Sequence, residues 1–323
     1  MLYHQVCSAR GTGARFWMSF QSTIERPIES SGVGLHTAVQ ARLRLVPAPA
    51  DTGIVFRRTD LDNFEIEAHV RNVARVSYAT SLMKHGVLIS TTEHLLAALY
   101  SCGVDNVYCE LDALEVPILD GSALPFIEML AQAGIRRQRR RRRYIEVLKP
   151  LEFSDGDRRI GIYPAQEFRV RCFVDFPHPS VRQQEMELVV GRESFSQLLA
   201  PARTFGFVED VERLRAVGLI QGGSMENAIV LSKDAILNPP LRFPDEFGRH
   251  KALDLIGDLA LVGRPLKAFV SAHKAGHALH TQLVTRLLAD RSLWRETTAD
   301  AADTGSPTHS TPHLAHQPLT AAD

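Results

Sequence analysis

A run of seven arginines in eight positions, 136–143, divides this chain into two stretches that repeat one pattern. Each stretch begins with strand-like runs, AVQARLRLVPA in the first and RRIGIYPAQEFRVRCFVDF in the second, with turn signals such as PAPADTG and SDGD between them. Each then carries helical periods: TTEHLLAALYSCG and LPFIEMLAQAG in the first, then RESFSQLLA, HKALDLIGDLALVG and HALHTQLVTRLLAD in the second. Strands followed by helices, twice over, predict an α+β fold of two sandwich domains. The likeness of GSALPFIEMLAQAG to GHALHTQLVTRLLAD points to a duplicated unit. The expected domains are 19–135 and 144–296, with 136–143 a linker kept solvated by repulsion between like charges. A patch for nucleic acid or anionic lipid is the alternative reading of that run, because dense arginine can hold phosphates. Residues 1–18 are expected to be a flexible extension. Residues 297–323, rich in Thr, Ala, Pro and His without an apolar period, are expected to be a disordered tail.

Composition narrows the class of function. Hydrophobic residues at 45% and charged residues at 23% describe a core-forming globular protein. Lys+Arg and Asp+Glu both total 37, so net charge gives no general attraction to nucleic acid or membrane, and a nucleic-acid partner is not expected. The four cysteines, Cys7, Cys102, Cys109 and Cys172, are scattered, which suggests neither a disulfide framework nor a thiolate metal site. No apolar run reaches the roughly 18–20 residues needed to span a bilayer. The opening MLYHQVCSARGTGARFWM lacks the apolar core of a secretory signal, and Met18 is an alternative start. A cytoplasmic monomer is expected.

The chemistry concentrates in three stretches. In RHKALDLIGDL (249–259), helical geometry puts His250, Asp254 and Asp258 within about 80° of one another, with Lys251 at the edge. Leu253, Leu255, Ile256, Leu259 and Ala260 fill most of the other side. The stripe is either the wet face of an amphipathic helix or one wall of a metal site, since His and Asp at i, i+4 can share an ion. In STTEHLLAALYSCG, Ser90, Thr91 or Thr92 can cap a helix that Gly103 ends. Its interior is apolar apart from Glu93 and His94, which are costly to bury unless paired or metal-bound. A capping Glu beside a hydrogen-bonded core His is the plainer alternative. In SAHKAGHALH, Gly276 puts His277 at a helix start, and His277 and His280 leave room for a rival metal assignment. Thr204 in ARTFGF passes for an ordinary loop or strand residue. The residues alone thus suggest a metal-dependent hydrolase, with ligands drawn from His94, His250 and Asp254, and Glu93 as base.

Several stretches together resemble the UDP-3-O-acyl-N-acetylglucosamine deacetylases of lipid A synthesis. They are SGVGLHT, FRRTDL, STTEHLLAAL, DNVYCELDALEVPILDGSALPF, ARTFGF, GLIQGGSMENAIV, DEFGRHKALDLIGDL and HKAGHAL, in family order. The resemblance implies a cytoplasmic zinc amidase that removes acetate from a UDP-linked, 3-O-acylated N-acetylglucosamine. It implies His94, His250 and Asp254 as zinc ligands, a set that can also hold Fe²⁺. Glu93 is implied as general base, and His277 as the imidazolium that protonates the leaving amine. Asp258 would orient His277, and Thr204 would donate to the oxyanion. Lys251 matches a diphosphate contact, and Phe205 and Asp210 match residues of the glucosamine and nucleotide region. The segment near 205–235 resembles a β-α-β insert with an acyl passage lined by Ile220, Met225, Ala228 and Val230. Met225 stands where well-known members carry an aromatic residue. The implied fold is two α+β domains of similar topology packed helix layer to helix layer.

Overall fold

The structure, a computed structural model, describes residues 19–298 except Ser77. The expected extension and nearly all of the expected tail lie outside the described residues. Six α-helices occur among the described residues: α1 (Glu93–Ser101), α2 (Leu124–Ala133), α3 (Arg192–Leu198), α4 (Val208–Ala216), α5 (Glu246–Leu259) and α6 (His277–Ala289). The α+β expectation holds, and α4 is the helix that periodicity did not find. Its sequence VEDVERLRA buries only Leu214, so it lacks an apolar stripe to read.

The two large sheets follow one plan. In the first half the strand order is Ile28–Val33, Gln40–Pro47, Val107–Leu111, Ile54–Arg58, Phe64–Glu67. The last of these strands along the chain, Val107–Leu111, sits in the centre, antiparallel to Gln40–Pro47 and parallel to Ile54–Arg58. In the second half Leu266–His273 holds the same place, antiparallel to Arg158–Pro164 and parallel to Arg169–Phe176. Leu151–Asp155 and Arg182–Val189 complete the two outer hairpins. Between hairpins and central strand, each half inserts extra elements and then one helix, α1 or α5; a second helix, α2 or α6, follows the central strand.

Alternation explains why these runs form half-buried strands. In Gln40–Pro47, Ala41, Leu43 and Leu45 are buried and their neighbours exposed; in Leu266–His273, Leu266, Ala268, Val270 and Ala272 are buried. Their inner faces and both helix layers share one hydrophobic core, which runs through Leu95, Leu96 and Leu99 of α1 and Leu253, Ile256 and Leu259 of α5.

Helix α1 is buried almost all round because it is packed directly against α5. Gly257 permits that approach: a Cβ there would meet the Glu93 carbonyl oxygen at 2.1 Å. Thr92 stands at the start of α1, but its hydroxyl donates to the Thr80 carbonyl at 3.0 Å and forms no cap. At the other end Gly103, with φ +74°, turns the chain out of the helix.

The arginine run is not an irregular linker. Ile135–Arg141 is a strand paired antiparallel with Phe20–Ile24, and Arg143–Val147 enters the second sheet. Extended backbone sends alternate arginines to opposite faces, and several of them meet partners distant in sequence. Arg137 and Arg141 lie over the Phe20 ring at 4.6 and 4.7 Å. Arg140 pairs with Asp51 at 2.7 Å, and the buried Arg142 with Asp105 at 2.8 Å. Thr297 and Thr298, expected to open the tail, instead continue Trp294–Thr298 opposite Tyr144 and Arg143.

Candidate metal centre

The contact of α1 with α5 brings the two polar signatures of the sequence together. His94 Nε2 lies 3.5 Å from Asp254 Oδ1, and His250 Nε2 lies 3.3 Å from the same oxygen. The two imidazoles meet edge to face, with centroids 4.9 Å apart. One ligand atom from each of the three residues falls within 4.8 Å of the others, and all three residues are buried.

Surrounding groups suit a cation. His250 Nδ1 is 3.1 Å from the Ala202 carbonyl, so Nδ1–H donates there and Nε2 keeps its lone pair toward Asp254. Burial pushes His250 down to about 3, against the pull of Asp254, so the ring is neutral and able to ligate. Burial works against charge on Asp254 too, but the charges around it, the Lys251 ammonium among them, outweigh it and hold the carboxyl well below its ordinary range. Lys251 Nζ donates to Asp254 Oδ2 at 2.8 Å and leaves Oδ1 facing the imidazoles. Two imidazoles and one carboxylate, turned inward, make a donor set that fits a divalent metal ion.

A second cluster adjoins the first. Asp258, one turn beyond Asp254, accepts from His277 Nδ1 at 2.6 Å and His280 Nδ1 at 2.8 Å, both on Oδ2. The Thr80 hydroxyl donates to Asp258 Oδ1 at 2.5 Å and lies 3.2 Å from His277 Nδ1. Burial disfavours the imidazolium of His277, but Asp258, Asp254 and Glu93 outweigh it and raise the group to about 9. Glu93 opens α1 beside His94, accepts the Thr80 backbone N–H at 3.1 Å, and is raised by burial. The site thus holds a carboxylate with increased basicity, an imidazole charged at neutral pH, and a nest for a metal.

The remaining sequence candidates are more dispersed. Phe205 stands with its ring 6.3 Å from that of His250 and with Lys251 Nζ 5.5 Å from its centroid. Thr204, just before it, has its backbone fixed between the Gly121 carbonyl and the Ile229 N–H, each at 2.8 Å. Arg203 anchors this segment through the buried Glu246 at 2.9 Å, which sets the Ala202 carbonyl beneath His250. Phe205–Phe207 and Ile229–Leu231 pair in parallel with α4 between them. Asp210 is engaged on an exposed stretch of α4 by Arg213 at 2.7 Å. Ile220 follows α4 with φ +52°, and Met225 is exposed. The Asn238 amide holds the carbonyls of Met225 and Ala228 at 2.7 and 2.8 Å, and its oxygen accepts the Val230 N–H at 2.9 Å.

Sequence reasoning did not find Thr80 or Glu115. Glu115 is fully buried, and its carboxylate gathers the backbone N–H groups of His36 and Thr37 and the hydroxyls of Thr37 and Thr91. It thereby ties the SGVGLHT loop to the start of α1. Thr80 lies in an irregular segment with no period, so no local signal marks it.

The family model described as UDP-3-O-acyl N-acetylglycosamine deacetylase matches residues 21–289. A protein of Solibacter usitatus (strain Ellin6076) named UDP-3-O-acyl-N-acetylglucosamine deacetylase is 55% identical over 284 residues, 88% of this chain and 96% of its own. Proteins of the same name from Myxococcus xanthus (strain DK1622) and Syntrophotalea carbinolica are 46% and 43% identical, covering 85% and 90% of this chain and 88% and 94% of their own. The match spans both halves and all the clustered residues, and the chain belongs to the UDP-3-O-acyl-N-acetylglucosamine deacetylase family.

Proposed function

We propose that this chain hydrolyses the acetamide of UDP-3-O-[(3R)-3-hydroxyacyl]-N-acetylglucosamine in the cytoplasm, giving acetate and the free 2-amine, with zinc as its metal. This is the committed step of lipid A synthesis. One observation carries the reading: in a chain of this family, His94, His250 and Asp254 turn inward at one point with Glu93 and His277 beside them.

His94, His250 and Asp254 are the ligands. The metal, when bound, supplies Lewis acidity to the acetyl carbonyl and to the attacking water. Glu93 takes the proton from that water, a role favoured by the burial that raises its basicity. Thr204 donates to the oxygen of the tetrahedral intermediate. His277, charged at neutral pH, protonates the nitrogen as the C–N bond breaks, and Asp258 holds its ring in place. Lys251 and Phe205 flank the cluster on the diphosphate and sugar side, and Asp210 serves the nucleotide region. Ile220, Met225, Ala228 and Val230 line the acyl passage.

The test is acetate release from the acylated UDP-sugar, with chelator and with metals added back singly. Zinc is expected to restore activity after chelation. Acetate release that persists in metal-free protein would exclude the reading.

A further inference from the structure

His280 has no part in the reaction just described, yet it is buried with its Nδ1 on the carboxylate oxygen that His277 uses. The two histidines are three residues apart on α6 and therefore share a face. With the Thr80 hydroxyl on Oδ1, Asp258 accepts three donors from three directions. We infer that His280 is a positioning residue for His277: its N–H occupies part of Oδ2, fixes the carboxylate, and weakens the hold of Asp258 on the His277 ring.

The chemistry of His280 suits this role. Its Nε2 is buried and has no hydrogen-bond partner among the described residues, so a proton there would be an unsatisfied buried donor. Burial lowers its basicity against the opposing pull of Asp258. The ring is therefore a neutral Nδ1–H donor and does not compete with His277 for the positive charge. The ionisable groups facing the pair are Glu93 from α1 and Asp254 and Asp258 from α5. Of these, Asp258 alone touches both rings. A carboxylate that spends acceptor capacity on a neutral N–H attracts a neighbouring imidazolium less strongly. Removing the donor should tighten the grip on the His277 proton.

The inference rests on the reading of His277 as the acid, and the experiment separates the two. His280→Phe keeps an aromatic ring and removes the N–H; His280→Leu also removes the N–H, with a different shape, should the first fail to fold. In His280→Asn the amide nitrogen stands one bond beyond Cγ, as Nδ1 does, so the donor is retained. In zinc-loaded protein, the His277 ring is titrated by NMR and the pH profile of kcat is measured alongside. His280→Phe or His280→Leu is expected to raise the His277 midpoint and the basic limb together by roughly half to one pH unit. His280→Asn is expected to return both to the parent values. An unmoved His277 midpoint in both donor-free variants would overturn the inference and leave the proposed activity untouched. A midpoint that moves while the basic limb stays fixed would support the inference and refute His277 as the acid.

Discussion

The two halves share one plan, two hairpins flanking a central strand with a helix on either side of it in sequence, but matching positions do different work. The turn GSAL at 121–124 opens α2, and GHAL at 276–279 opens α6. In the first half, the Ser122 hydroxyl donates to Asp120 at 2.8 Å and accepts the Leu124 N–H at 3.2 Å, so the position serves its own helix start. In the second, His277 leaves the same place to meet Asp258 at 2.6 Å. Helices α1 and α5 differ similarly: one supplies Glu93 and His94, the other His250, Asp254 and Asp258. A duplicated scaffold becomes a site when its matching positions cease to be equivalent, so the fold alone does not specify the chemistry.

The largest predicted effects test that division. His250→Ala and Asp254→Ala, both on α5, should lose bound metal and on the order of a thousandfold in kcat/KM, because several kcal/mol of charge stabilisation depends on them. Glu93→Ala, on α1, should retain the metal and still lose roughly 10²–10⁴-fold in kcat. Metal analysis beside steady-state kinetics distinguishes the cases. If Glu93→Ala also lost its metal, the split between ligand and base would be wrong.

Next is the contact that joins the halves. A Cβ at Gly257 would lie 2.1 Å from the Glu93 carbonyl oxygen, and that atom belongs to backbone that cannot swing aside. Gly257→Ala should therefore push α1 from α5, cost about 1–3 kcal/mol in urea denaturation, and weaken metal affinity as His94 withdraws. Parent-like stability and affinity would mean that the halves tolerate more slack than the helix contact implies.

The matched helix starts can be tested by pH. His277 is raised to about 9 by Asp258 in spite of its burial, so an activity that needs the imidazolium falls as pH rises through that value. Asp258→Asn removes the charge, and the basic limb should move down toward the ordinary histidine range by roughly one to two units. A basic limb that stays near 9 in this variant would sever His277 from Asp258 in function.

These features were legible to different degrees. The His250–Asp254–Asp258 stripe follows from helical period alone, and the Glu93–His94 pair from polarity inside an apolar helix. The strand Gln40–Pro47 was readable because it alternates cleanly. Thr80 was not, since its bond to Asp258 spans 178 residues from an irregular segment. The arginine run misled because charge density was judged without its partners. Asp51, Asp105 and the Phe20 ring stand far off in sequence and become neighbours only after the chain has folded.

The smallest predicted effect concerns that strand, which connects the halves. Arg142 is buried with Asp105, but Arg140 is exposed at 67% of its side chain and reaches Asp51 from the surface. Exposed pairs contribute little, because solvent screens them and ordering two long side chains costs entropy. Arg140→Gln should change stability by less than about 0.5 kcal/mol. Arg136→Gln and Arg139→Gln, also at exposed positions, should add no more each. Thermal denaturation and steady-state kinetics of the triple variant provide the check, with kcat/KM expected to match the parent. A tenfold fall in kcat/KM with metal content intact would make Ile135–Arg141 part of the working machinery, and the chemistry would no longer belong to the two halves alone.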